Sequence, residues 1–584
     1  HISDWDVSLI TDMSELFKNK NTFNDDIGNW DVSSVEDMSQ IFRNASNFNQ
    51  DLSSWNVSNV INMNSMFMGA DQFNQPLNTW NVSSVDDMQN IFNSADQFNQ
   101  PLDQWDVSNV QSMKNAFMWC VTFNQDLSGW NVSSVVDMSS LFKNAYSFSG
   151  DLSAWDVSSV DNFSRMFNSA SSFNGNLSGW TFKEDGPINM GEMFRGCVNF
   201  EGNGLETWDV SSVTNMSKMF YGNNNAGPNY SMLNETALST WDVSSVEDMS
   251  QMFACSHWSG DLSQWDVSSV KTMEGMFGCF WNSGGGLARF NGDISNWDVS
   301  SVEDMGGDVG MFMYNPYFNQ DLSEWDVSNV EDFEKMFNGA SSFESDLSGW
   351  DVSSATDVGY MLNGVTNFNS DISSWDVSNV TMFRSFLKNA TAFNQDLSDW
   401  DISKASHSYS YQYMFNGTSL SDENKCNMHT AWSNYEMWVN HGFDWSSSCI
   451  GCMDEAACNY VPNAQTDDGS CLYNDCSGVC GGDSELDECG VCGGSGIPEG
   501  ECDCDGNVDL GCGCGEAAAE ENYDCDGNCT ADLDCNGDCA GSAVEDLCGE
   551  CGGDNSSCFV LSDIDGNQYG TIEIGGQLWM KQNL

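Results

Sequence analysis

Positive charge is nearly missing from this chain: 17 lysines and arginines stand against 87 aspartates and glutamates in 584 residues, a formal net charge of −70. No nucleic-acid partner is expected, because phosphate binding needs a basic surface and the composition offers few bases to build one. Histidine is just as scarce, and the five present (His1, His257, His407, His429 and His441) are scattered, with no H-E-x-x-H among them. Neither a G-x-S-x-G elbow nor a G-x-x-x-x-G-K-[ST] loop occurs. Acids repeated in a ladder are not the unique carboxylate pair in a cleft that glycoside hydrolysis needs, so the reading is non-enzymatic. No run of 18 or more apolar residues exists, so nothing in this segment reads as a membrane-spanning helix. Cysteine is rare at first, with four in residues 1–425, and then dense, with twenty in 426–558. That density predicts an oxidising, extracellular compartment. A signal peptide is lacking too. The opening "HISDWDVS" starts mid-repeat, which predicts a piece of a longer secreted precursor.

Repetition is what the chain has in abundance. The indole falls at Trp5, Trp30, Trp55, Trp80, Trp105, Trp130, Trp155 and Trp180, always 25 residues apart. It then falls at Trp208, Trp241, Trp265, Trp297, Trp325, Trp350, Trp375 and Trp400 with spacings of 24 to 33. A fixed period with tolerated insertions signals stacked coils, and residues 1–401 read as sixteen of them. Take Phe23 to Ser46. Ile27 to Val32 reads as a short strand with alternate residues inward. Val35, Met38, Ile41, Phe42 and Ala45 read as a one-sided helical stripe, with Ser33 and Glu36 as an S-x-x-E capping box between the two. The expected fold class is an α/β repeat solenoid, one short strand plus one short helix per 25-residue coil, followed by a disulfide-rich stalk with little regular structure.

The spacing of Ile27, Trp30, Val32, Val35, Met38, Phe42 and Ala45 resembles the leucine-rich repeat frame L-x-x-L-x-L with its helical return. The wording "FNQDLSSWNVSNV" (48–60) and its counterparts resemble the BspA-like surface repeats of mycoplasmas and of secreted proteins of marine bacteria, over roughly residues 1–425. That resemblance implies surface display, binding or adhesion, and no catalysis.

Trp, Met and Phe occupy inward columns and are read as core. Strand alternation turns the residue after each Trp outward. There Asp6, Asp31, Asp106, Asp156, Asp209, Asp242, Asp266, Asp298, Asp326, Asp351, Asp376 and Asp401 form a column of twelve carboxylates. Like charges one coil apart repel. Three readings compete: a solvated acidic face; Ca²⁺ bridging, with Asp31, Asp106, Asp156, Asp242, Asp266, Asp326, Asp351 and Asp376 as ligands; or a basic or glycan partner. A second column (Asn24, Asn49, Asn74, Asn99, Asn124) reads as an Asn ladder that caps backbone groups at each bend. Asn44, Asn56, Asn81, Asn131 and Asn389 open N-x-S/T sequons, glycan acceptors in a eukaryotic secretory host.

Cys120 and Cys197 stand where other coils have alanine and read as small buried residues. Cys255 and Cys279 each lie two residues after a Phe in consecutive coils, a separation that suits a disulfide. Residues 402–449 break the period and read as a cap, with Trp432, Trp438, Trp445 and Phe443 covering the last coil and Cys426 and Cys449 stapling it. Residues 450–558 read as a Cys-rich Asp/Gly stalk whose start, "GCMDEAACNYVPNAQTDDGSC", resembles a Cys module of secreted marine Bacteroidetes proteins. The C-x-x-C pairs Cys489/Cys492 and Cys548/Cys551 suit Zn²⁺ or disulfides, and the absence of nearby His favours disulfides. Asp503 and Asp505, Asp524 and Asp526, and Asp534 with Asn536 resemble the calcium loops of thrombospondin type 3 repeats, without the full EF-hand pattern. Residues 559–584 read as a short β segment that resembles the opening of the fibrobacter major paralogous domain.

The expected function is extracellular adhesion or recognition: a protein or glycan held on the outward strand face, with Ca²⁺ as stabiliser and no organic cofactor. The alternative is a structural subunit of an extracellular filament or sheath, a homo-oligomer joined end to end.

Overall fold

The computed structural model describes the chain except residues 223–232, 281–287, 436–437, 439–442, 462–463, 488–489, 497–498, 501–525, 527–559, 563, 566–567 and 581–584. It divides into two compact units, His1–Cys449 and Ile450–Leu584.

In the first unit the 25-residue period is a stacking period. Asp12 bridges in parallel to Asp37, Asp37 to Asn62, Asn62 to Asp87, and so on to Asp357 with Met382. Midway the ladder widens into two short parallel strands, β1 (Ile188–Asn189) and β2 (Val213–Asn215). The paired residue is therefore the one just after each Glu36-type position, not the stretch Ile27–Val32 that the alternation suggested. There the Trp30 N–H closes a turn on the Ile27 carbonyl at 3.1 Å and the Val35 N–H closes another on Val32 at 3.0 Å. The expected strand is an extended link between two turns. Ile27, Trp30 and Val32 are buried along it and Asp31 is exposed.

Residues 1–401 contain no α-helix among the described residues, which corrects the helical return. From Met38 to Ala45 the backbone makes successive turns: the N–H groups of Ile41, Arg43 and Ala45 donate to the carbonyls of Met38, Gln40 and Phe42 at 3.3, 3.0 and 2.9 Å. The N–H groups between them point along the stack. Met38, Gln40, Phe42 and Asn44 donate to Asn62, Asn64, Met66 and Met68 of the next coil at 3.0, 2.8, 3.0 and 2.6 Å. An α-helix would close all these donors on itself, leaving none to join one coil to the next. Alternation lets every second donor serve the turn and every other one the stack, so the backbone is satisfied in both directions. Gln40 and Asn44 have φ of 58° and 56°, the left-handed conformation that the third position of a type II turn demands. In the Asn44 column, Asn19, Gly69, Ser94, Asn144, Ser169 and Gly196 also have positive φ. Turns of this kind produce the same three-and-four apolar spacing as a helix. The Ser33–Glu36 box has no helix to cap, and the neighbouring Ser34 hydroxyl donates to the Ser8 carbonyl of the coil before at 2.8 Å.

Most of the core is one continuous column of apolar side chains, with Tyr221, Ala254, Cys255, Cys279 and Ala288 as a small separate cluster. Trp55, Trp80, Trp105 and Trp130 stack with centroids 6.4, 6.5 and 6.5 Å apart and planes 2° from parallel. Their indole N–H groups donate back to the carbonyls of Ile27, Leu52, Leu77 and Leu102 at 2.9–3.1 Å. A Phe file runs beside them, Phe42 on Phe67 at 5.5 Å and Phe67 on Phe92 at 5.6 Å. Offset stacking of this sort adds to the burial of each ring. The last coil is covered by α1 (Asp422–Trp432), N-capped by Ser421, whose hydroxyl oxygen accepts the Asn424 N–H at 3.1 Å. Trp432 donates to the Trp400 carbonyl at 3.1 Å, and the buried Trp438 stacks on Phe443 at 4.4 Å.

The second unit has little regular structure among its described residues. β3 (Val560–Ser562), β4 (Gln568–Ile574) and β5 (Gln577–Met580) form an antiparallel sheet in that order, one strand more than the sequence pattern shows. Gly575 and Gly576, with φ of 65° and 83°, turn β4 into β5; positive φ at both central residues is the two-residue hairpin geometry that Gly adopts without strain.

Candidate functional site

The repeated Trp-Asp-Val-Ser phrase is a turn device before it is anything else. In each of Asp31, Asp106, Asp156, Asp242, Asp266, Asp326, Asp351 and Asp376, one carboxylate oxygen accepts the N–H of the Ser two residues on, at 3.0–3.1 Å. This is an Asx turn. The Ser hydroxyl and amide hold the Asp31, Asp106, Asp156, Asp266 and Asp351 carboxyls below the usual carboxylate range. Asn56, Asn81 and Asn131 take over the same bond at 3.2 Å in their coils. All these side chains are exposed. Each carboxylate thus has one oxygen committed to its own turn and the other turned to solvent.

Among the described residues no three His, Cys, Asp or Glu side chains gather closely enough to hold a metal ion. Of the second-unit acids, Asp503, Asp505, Asp524 and Asp534 lie outside the described residues, and Asp526 is exposed. The sequon residues Asn44 and Asn389 are exposed, with φ of 56° and 61°, and Asn44 donates from its amide to Asn19 at 2.7 Å. The Asn ladder links coil to coil: the side-chain oxygens of Asn24, Asn49 and Asn74 accept the backbone N–H groups of Asn49, Asn74 and Asn99 at 2.9, 3.0 and 3.0 Å.

Five disulfides are formed among the described residues. Cys255 joins Cys279 across two coils with Cα atoms 4.6 Å apart, and Cys426 joins Cys449 in the cap at 4.8 Å. In the second unit the pairs are Cys452–Cys471, Cys458–Cys480 and Cys476–Cys492. Cys492 is thus committed to Cys476 and is no zinc ligand with Cys489; Cys489, Cys548 and Cys551 lie outside the described residues. Cys120 and Cys197 are free and buried.

The ladder column itself escaped the sequence reading. Asp37, Asn62, Asp87 and their successors are half-buried, and amides offset the acids: Asn62 donates to Asp37 at 3.1 Å, Asn64 to Asp87 at 3.0 Å, and Asn215 to Asp248 at 3.3 Å. Its signal was the Asp/Asn/Ser alternation one residue before each Met. The pattern fails where Asp304, Asp332 and Asp357 follow one another. Burial pushes the Asp357 carboxyl up to about 6, and the Glu334 and Asp332 charges add to this against the opposing Gly359 N–H. Burial likewise raises Asp304. A raised folded-state value means that the ionised acid is disfavoured by folding. The penalty is absent below the ordinary 3.8, where both states are protonated, grows as pH rises to about 6, and is complete above it. Asp357→Asn keeps an acceptor for Gly359 and adds a donor towards Asp332. It is expected to stabilise the protein by about 1 kcal/mol at pH 7, after discount for solvent screening, and by nothing at pH 3.5. Urea titrations of both proteins at the two pH values check this; an equal difference at each pH would contradict it.

The profile of a family described as Mycoplasma protein of unknown function, DUF285, matches residues 1–105, 88–188, 188–281, 228–337, 285–367 and 309–432. These overlapping spans run through all the coils to the end of α1. No curated protein matches the chain. Among the described residues no helix is long and apolar enough to cross a membrane.

Proposed function

The chain belongs to this DUF285 family of repeat-bearing Mycoplasma proteins of unknown function, and we propose that it is a non-enzymatic extracellular recognition protein that holds a macromolecular partner on the acidic face of its coils. One observation carries the reading. Coil after coil presents an exposed carboxylate whose second oxygen is free while its first is fixed by an Asx turn. A row of pre-oriented acceptors on a rigid core recognises a cationic or donor-rich surface with little ordering cost. The five disulfides support an oxidising location. End-to-end assembly is the weaker reading, because joining copies needs two open ends and α1 with Trp438 covers the last coil.

Binding of the oxidised chain to an immobilised panel of basic extracellular proteins tests the proposal, run with millimolar Ca²⁺ and again with chelator. The triple change Asp326→Asn, Asp351→Asn and Asp376→Asn preserves the Asx turns and is expected to weaken binding at least tenfold, about 1.4 kcal/mol. Binding unchanged by the triple substitution, or absent from the whole panel in both buffers, would sink the reading.

A further inference from the structure

A chain with 17 bases against 87 acids has to put its few cations somewhere, and it does not spread them evenly. The turn runs 112–121, 137–146, 162–171, 189–198 and 215–222, on five successive coils, hold Lys114, Lys143, Arg165, Arg195 and Lys218 against two acids, Asp137 and Glu192. Glu192 is locked inside the group. Its carboxylate accepts from Arg165 at 2.7 Å, Arg195 at 2.8 Å and Asn168 at 3.1 Å, so the patch keeps a positive surplus. Arg165 and Arg195 remain 52% and 41% exposed despite these bonds. Burial lowers the Lys143 ammonium from its ordinary value, and the Arg165 and Arg195 charges add to this against that of Glu192.

Two aromatic rings stand on the first two of these turn runs. Trp119 and Tyr146, on adjacent coils, are each 40% exposed and meet edge to face, with centroids 5.9 Å apart and planes at 87°. Trp119 is anomalous twice over. It sits at φ 58° in the column where Asn19, Asn44, Ser94, Asn144 and Gly69 sit and where Tyr314, at φ 52°, is a second large ring, a conformation unfavourable to a bulky side chain, and it leaves part of an apolar ring exposed. Strain combined with exposure of this kind marks functional positions.

We propose that Lys114, Trp119, Lys143, Tyr146, Arg165 and Arg195 form a docking surface for an acidic polysaccharide, distinct from the acidic face. The rings take the apolar faces of successive pyranoses and the cations take their carboxylate or sulfate groups. Guanidinium forks suit both anions, and one coil per turn run gives the surface a periodic array to set against a periodic polymer. A polyanion without rings would use the cations and leave Trp119 idle.

The test is biolayer interferometry of the full oxidised chain at 150 mM NaCl against immobilised polygalacturonate, heparin, polyglutamate and dextran. Expected is binding to polygalacturonate, heparin or both, and none to dextran or polyglutamate; the tighter of the two polysaccharides identifies the acid group. Trp119→Asn, which installs the residue that Asn144 already supplies one coil on, should lower the affinity about tenfold. Lys114→Gln with Lys143→Gln should lower it at least as much and flatten its salt dependence. Unchanged thermal midpoints would show that both variants fold. The proposal is overturned by failure to bind either polysaccharide, by equal binding to polyglutamate with Trp119→Asn inert, or by self-association in sedimentation that these variants abolish, which would make a second copy's acidic face the occupant. Failure of the basic-protein panel leaves this outcome untouched, since the two faces carry opposite charge.

Discussion

Replacing Trp105 by alanine is expected to destabilise the first unit by about 5 kcal/mol and to split its unfolding into two steps. The ring is 4% exposed, lies between Trp80 and Trp130 at 6.5 Å on each side, and donates to the Leu77 carbonyl at 2.9 Å. Truncating a buried aromatic costs roughly 4 kcal/mol, and leaving a buried carbonyl without its donor costs about 1 kcal/mol more. A stack in which each coil touches only its neighbours has no other route by which its two halves can support one another. A loss larger than the coupling across one interface therefore lets the coils before Trp105 melt apart from those after it. Urea unfolding followed by far-UV circular dichroism reads both effects. Asp106→Asn is the internal control, one residue away on the exposed face with its Asx turn preserved, and should shift stability by less than about 0.5 kcal/mol. A single transition with a loss under about 1 kcal/mol at Trp105 would mean that the Trp file is not what binds coil to coil.

How far the sequence could be read follows from which property of a residue the fold uses. Burial was legible. Trp30, Val32, Val35, Met38, Ile41, Phe42 and Ala45 were all assigned inward and are all buried, because apolar side chains at a fixed period have nowhere else to go. Backbone form was not. The stripe from Val35 to Ala45 satisfies a helix and a chain of turns equally well, and what decides between them is the demand for donors along the stack, a property of neighbouring coils and not of the stripe. A local clue existed: Asn19, Asn44, Ser94, Asn144 and Gly69 recur at one place in the repeat, and such residues tolerate positive φ. The Asp column is exposed, as strand alternation predicts, but each member also has a local partner. Asp-x-Ser is an Asx-turn phrase, so half of each carboxylate is occupied before any ligand arrives. The ladder at Asp37 was hidden because its members are polar, and polar residues in a coil are ordinarily assigned to solvent.

Charge follows the same division. The Trp-Asp links and the ladder column carry acids, while the turn runs carry Lys18, Lys20, Arg43, Lys114, Lys143, Arg165, Arg195, Lys218, Lys335, Arg384 and Lys388, eleven of the chain's 17 bases. Several of these lie over rings: Arg195 over Tyr221 at 4.8 Å, Arg384 over Tyr360 at 5.5 Å and Lys388 over Tyr413 at 5.2 Å. The excess of acid is thus a property of one set of columns and not of the whole surface. Two faces of opposite character can serve two partners without either being neutralised by the other.

The two disulfides of the first unit allow the end of the stack to be tested separately from its middle. Cys255–Cys279 and Cys426–Cys449 span 24 and 23 residues, so in a chain-entropy account each restrains the unfolded chain by about the same amount, roughly 3 kcal/mol. Their folded surroundings differ. Cys255 already donates its N–H to Gly278 at 2.9 Å as part of the stack, so Cys255→Ala with Cys279→Ala should lower global stability by about that figure and leave the native fold closed. Cys426 lies in α1 and Cys449 follows Trp438, Phe443 and Trp445 in the chain; the staple ties the two together, and those rings pack on Phe415, Trp438 on Trp432 as well. Cys426→Ala with Cys449→Ala is therefore expected to lose a similar roughly 3 kcal/mol chiefly by local opening. The cap should exchange its amide hydrogens far faster than coils 2 to 15 while the stack persists, and the uncovered rings should bind a hydrophobic dye and promote aggregation. Hydrogen exchange by mass spectrometry on the two double variants separates the cases. Uniform acceleration in both would mean that cap and coils unfold as one cooperative unit and that the Cys426–Cys449 bridge acts on the unfolded chain alone. Acceleration confined to residues 420–449 in the second variant would instead show that the cap is held on by its staple and that the apolar end of the stack is kept from neighbouring molecules by a single covalent bond.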